Sequence, residues 1–102
     1  MKNYRVIFAP DAEDDLDQYL LWLNDYDAVA SALRDFDETR ARLERTAGSI
    51  TMVYGSEKLR QRGYRRLNFL RHPLYMLYRV EGDHVFVDAI GHEKQDMDEL
   101  MH

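Results

Sequence analysis

Residues 63–92 read GYRRLNFLRHPLYMLYRVEGDHVFVDAIGH, and how they fold decides the rest of the chain. Three stretches rich in aromatic and apolar residues, 64–70, 74–80 and 84–90, are strand candidates. Between the last two, Glu81-Gly82-Asp83 makes a hairpin turn, because glycine supplies the positive φ such turns need. His72-Pro73 marks the earlier turn. Side chains alternate across a strand, so Tyr75, Leu77 and Arg79 share one face and Leu74, Met76, Tyr78 and Val80 the other. On the strand before, Arg66 and Asn68 oppose Arg65 and Leu67. The stretch is a sheet that carries arginines on apolar ground.

Working toward the N-terminus, SITMVYGSEKLRQRG (49–63) has no sustained period and reads as a loop with one helical turn near 56–61. Before it, Val29, Leu33, Phe36, Arg40, Leu43 and Ala47 recur at helical spacing, with Asp27 as cap, Gly48 as stop and Arg40 as the one polar member. Leu16, Tyr19, Leu20 and Leu23 form the stripe of an earlier helix, opened by Pro10 and by acids that favour its positive end. Asn24 to Asp27 breaks the pattern, and so short a connection makes the two helices an antiparallel hairpin. YRVIFA (4–9) alternates as a first strand. The order β, α, α, β, β, β predicts an α+β domain over 1–102: an N-terminal strand and a helical hairpin on a mostly antiparallel four-stranded sheet. A short tail, Glu93 to Met101, follows as a further helix or a mobile end.

The 102 residues suffice for one modest core. Cysteine is absent, which excludes disulfides and thiolate chemistry. MKNYRVIFAP is too interrupted for a signal peptide and no stretch is long enough to span a membrane, so a cytoplasmic protein with no membrane role is expected. A net charge of −5 argues against a protein that coats nucleic acid. That charge is segregated. Residues 11–38 carry many acids against Arg34 alone, while 57–79 carry Lys58, Arg60, Arg62, Arg65, Arg66, Arg71 and Arg79 against Glu57 alone. Residues 81–102 are acidic again.

No glycine-rich phosphate loop or nucleophile triad is present, and the histidines lack metal-ligand spacing. Asp88 and His92 make a lone pair, too few for a metal, so neither metal nor cofactor is expected. Asp14-Asp15 at a helix start is explained by dipole compensation. One catalytic constellation survives. A metal-free ribonuclease needs a proton-transfer group and cations on the phosphate, and His92 with Arg65, Arg66 and Arg79 could supply them. The competing reading has Arg66 and Arg79 paired with Asp88, Glu81 or the tail acids.

Taken in order, YRVIFAPDAEDDLDQY, the helical hairpin, LRQRGYRRL, LYMLYRVEGDHVFVDAIGH and EKQDMDEL resemble the RelE/ParE superfamily of bacterial toxins. The resemblance covers nearly the whole chain. It implies the toxin half of a type II toxin–antitoxin pair, bound in a hetero-oligomer by a cognate acidic antitoxin. Where the ribosome-dependent, mRNA-cleaving branch usually carries an arginine this chain has Met76, and His92-Glu93-Lys94-Gln95-Asp96 lacks that branch's basic end. The sequence looks more like the ParE branch, the plasmid stabilization proteins, whose members poison DNA gyrase by binding it rather than by enzymatic action. His92 aligns with the histidine of that branch's tail. Ala9 departs from the Ser or Thr that commonly caps the first helix. On this resemblance Arg62, Arg65, Arg66 and Arg79 would bind the acidic antitoxin through charge-assisted pairs. Tyr19, Trp22, Tyr26 and His92 would face the target or a partner, Trp22 lying beside its helix's apolar stripe. A ribosome-dependent ribonuclease using Arg65, Arg66, Arg79 and His92, and a non-toxic antitoxin-binding module, are the alternatives.

Overall fold

Pro10 opens helix α1 (Pro10–Leu23) directly after strand β1 (Arg5–Phe8), where its missing N–H costs nothing. The computed structural model describes residues 3–49 and 57–94. Ala9 offers α1 no side-chain cap, and Asn24 ends the helix in the left-handed region, φ 45°. Helix α2 (Tyr26–Thr46) starts earlier than expected: its cap is Asp25, not Asp27. Asp25 has the extended backbone a cap requires, and its carboxylate accepts from Ala28 N–H at 2.9 Å. Asp27 already lies in the first turn.

The buried stripe of α2 also differs from the expected one. Ala32, Asp35, Thr39 and Leu43 are buried and Phe36 is half-buried, whereas Leu33 and Arg40 are exposed. The stripe keeps helical spacing, but it is lined by small and polar residues that hydropathy does not mark. Arg40 pairs on the surface with Asp37 and Glu44.

Helix α3 (Glu57–Gln61) precedes β2 (Arg65–Asn68), β3 (Leu74–Glu81) and β4 (His84–His92). The sheet runs β1-β4-β3-β2. Two hairpins make β2–β3 and β3–β4 antiparallel, while β1 joins β4 in parallel, so the sheet is mixed. Gly82 holds φ +61° in the β3–β4 turn, the conformation that turn requires. One face of the sheet, with Leu67, Phe69, Leu74, Met76, Tyr78, Val85, Val87 and Ile90, packs under α1 and α2. The other carries Tyr75, Leu77 and Ala89, covered in part by Leu59 of α3 and by Tyr64. The alternation along β3 therefore falls as its sequence indicates. The tail expected over Glu93 to Met101 lies outside the described residues beyond Lys94.

A bulge breaks that alternation in β4. Leu77 pairs with Ala89 and Tyr78 with Val87, which leaves Asp88 as an extra residue. Ala89 consequently joins the face of Leu77, and Ile90 turns under α1. β1 pairs β4 only as far as Val87, so it supplies no partner for Ile90 N–H. The Asp15 carboxylate of α1 accepts that N–H at 3.0 Å. A strand amide left without its ladder is thus satisfied from a helix.

Candidate functional site

On the sheet face turned away from the helical hairpin, two arginines lie over aromatic rings. The Arg66 guanidinium is 3.9 Å from the centroid of Tyr75 and that of Arg79 is 4.6 Å from Phe86. Stacking of this kind holds a guanidinium in place by the ring's quadrupole. Arg66 Nε donates to Asn68 Oδ1 at 2.7 Å, and its Nη groups donate to no other described residue. Arg79 Nε donates to Asp88 at 3.0 Å and its Nη1 to Glu81 at 2.7 Å. Tyr64 donates to the same Asp88 oxygen at 2.7 Å; burial first, and then that carboxylate, push the Tyr64 hydroxyl up to about 12. The β4 bulge presents Asp88 to this face, so it fixes Arg79 in position.

Arg65 is not part of that face. Its Nη1 donates to the Ala47 carbonyl at 2.9 Å, on the side of the helices. Ala47 caps α2, whose last carbonyls lack helical partners and carry the negative end of the dipole, so a guanidinium is well placed there. Arg62 is exposed between α3 and β2. Arg71 Nη1 reaches Glu38 at 3.2 Å, also on the surface.

His92 is separated from the stacked arginines by the sheet. It pairs across the ladder with Leu74, whose side chain packs on the helical side. There it lines a groove of about 290 Å³ with Asp15, Gln18, Tyr19, Trp22 and Ile90. The constellation His92, Arg65, Arg66 and Arg79 is therefore not assembled. Asp88 and His92 also lie on opposite faces, and no group of three or more metal-ligating residues occurs among the described residues.

Of the other expected partner-facing residues, Trp22 and Tyr26 flank the turn of the hairpin and Tyr19 lies about a turn back along α1. Trp22 is 73% exposed, Tyr26 89% and Leu21 78%. The Tyr19 and Trp22 rings have centroids 5.9 Å apart. Tyr19 Oη lies 3.0 Å from His72 Nδ1 and Ser31 Oγ 3.2 Å from its Nε2, so one imidazole ties α1, α2 and the β2–β3 loop together.

A family model for the ParE toxin of the type II toxin–antitoxin system parDE matches residues 6–97. The chain belongs to the ParE toxin family. No curated protein matches it. Among solved structures it is similar to the chromosomal ParDE toxin–antitoxin system of P. aeruginosa, with TM-score 0.68 and 23% identity over 87% of this chain and 95% of that one. It is also similar to the toxin–antitoxin complex RelBE2 of Mycobacterium tuberculosis, with TM-score 0.58 and 18% identity over 88% and 98%. Identities this low carry the fold.

In this toxin the residue that sequence reasoning missed is Asp35. It is fully buried in α2 and accepts the N–H groups of Leu70, Arg71 and His72 at 2.8–2.9 Å. Burial alone would raise its pKa, but the three N–H groups outweigh burial and hold the carboxyl below its ordinary value. Asp35 thereby fixes the loop that sets His72 between the two helices. The sign that could have found it is the spacing 32, 35, 39, 43, with Thr39 donating back to the Asp35 carbonyl at 2.7 Å.

Proposed function

We propose that this toxin inhibits DNA gyrase in the bacterial cytoplasm by binding it, and that a cognate acidic antitoxin neutralises it by occupying the open face of the sheet. The observation that carries the antitoxin surface is Arg66, stacked on Tyr75 with its Nη groups turned to no other described residue. A guanidinium already fixed by a ring loses little freedom on pairing bidentately with a carboxylate. Arg79, on the same face and already paired with Asp88 and Glu81, adds a second cation through its remaining N–H groups, with Arg62 at the edge; Arg65 lies on the helical side, donating to Ala47, and is left out. The net charge of −5 and the separation of His92 from the arginines favour a protein-binding poison over a nuclease.

A gyrase supercoiling and DNA-cleavage assay with purified toxin, with and without antitoxin, tests this reading. Inhibition that the antitoxin relieves is the expected result. No inhibition at micromolar toxin that demonstrably binds its antitoxin would overturn the gyrase assignment. Arg66→Ala with Arg79→Ala should weaken antitoxin binding by at least about tenfold, and unchanged affinity would remove the surface assigned to it.

A further inference from the structure

The groove between α1 and the end of β4 joins exposed aromatic surface to the Asp15 carboxylate, which pairs with no lysine or arginine among the described residues; the His92 imidazole lines the same groove. Trp22 is its open wall, with Tyr19 beside it. One oxygen of Asp15 accepts from Ile90 N–H; the other has no hydrogen-bond partner among the described residues. Asp11 and Asp14 are close enough to act on Asp15 electrostatically, and α1 contains five acids (Asp11, Glu13, Asp14, Asp15, Asp17) and neither lysine nor arginine. An indole face and a carboxylate with a free oxygen together recognise a cation that also has an apolar stem.

Charge decides among occupants. The chain's own residues 95–102 hold Asp96, Asp98 and Glu99 and no lysine or arginine, so they offer no long-stemmed cation to match the groove. An acidic antitoxin segment is disfavoured likewise. We propose that the groove takes an arginine or lysine side chain of the toxin's protein target, leaving the antitoxin to the opposite face of the sheet. That the donor is the target rests on the function proposed above; the chemistry of the groove does not.

Trp22 is the only tryptophan, so its fluorescence reports the groove directly. The full-length toxin is titrated with acetyl-Leu-Arg-Leu-amide and, in parallel, with the peptides carrying citrulline or glutamate in place of arginine. A saturable change in Trp22 emission is expected for the arginine peptide, about tenfold weaker for citrulline and absent for glutamate. Asp15→Asn keeps an oxygen for Ile90 N–H and should weaken the arginine peptide by a similar factor. If that variant fails to fold, Asp11→Asn with Asp14→Asn, both exposed, should still weaken it several-fold. Equal responses to arginine and citrulline, or none, overturn the proposal. So does binding that appears only after residues 95–102 are deleted, which would assign the groove to the chain's own tail. In the gyrase assay, a wild-type toxin that inhibits alongside Trp22→Ala and Asp15→Asn variants that inhibit equally well would also overturn it. A wild-type toxin without effect on gyrase would remove only the identity of the target.

Discussion

Asp35 in α2 and Asp15 in α1 are both carboxylates turned toward backbone amides, yet their protonation is pushed in opposite directions. Burial raises both. At Asp35 three N–H groups reverse the effect, while at Asp15 the single N–H of Ile90 does not, and Asp11 and Asp14 add to the rise. The number of donors that the chain brings to each carboxylate separates a structural fixture from a group with an oxygen to spare. The two regions divide accordingly: the loop around Asp35 holds the fold, and the groove around Asp15 is the surface proposed for a partner.

The largest effect that would break this comparison is on stability. Asp35→Ala leaves three partly buried amides without their acceptor and should cost about 2–4 kcal/mol in urea unfolding, since a fully buried orphaned donor costs roughly 1–3 and the three are neither fully buried nor additive. A loss under about 1 kcal/mol would mean that the loop is held by other contacts. Tyr64→Phe removes one hydrogen bond to Asp88 on the open face and should cost about 1 kcal/mol. Trp22→Ala, at an exposed position, should change stability by no more than about 0.5 kcal/mol.

The acid limb sharpens the contrast. Asp35 has a folded pKa below its unfolded value, so its contribution is full above the unfolded carboxyl range and is lost as pH falls through the folded pKa. Asp15 has the opposite sign: its contribution is full below the unfolded pKa and is lost as pH rises through the folded one. Unfolding free energies measured from acid to neutral pH should fall less steeply on acidification in Asp35→Asn than in wild type. They should fall slightly more steeply in Asp15→Asn. The same slope in both variants would mean that the two environments do not differ.

The strands of residues 63–92 were legible because alternation is a local property, and β3 sorts its side chains as its sequence indicates. The helical hairpin was legible for the same reason. Asp35 was not, because the amides that give a buried carboxylate its partners lie 35 to 37 residues away and are recruited only when the loop closes. Asp15 read as a dipole-compensating acid, since nothing local shows that β1 ends short of Ile90. Of the four arginines expected to bind antitoxin, Arg65 turns to Ala47 because the end of α2 needs a donor there, a tertiary fact with no mark at position 65. The Asp88 bulge carries no sequence sign either, and it sends the end of β4 and His92 to the helical side.

The most direct test of the division is to map the antitoxin on isotope-labelled toxin by amide and indole chemical shifts. Strong shifts are expected at Arg66, Tyr75, Arg79 and Phe86, with the Trp22 indole N–H unmoved. Shifts centred on Trp22, Tyr19 and His92, with the stacked arginines silent, would contradict the division.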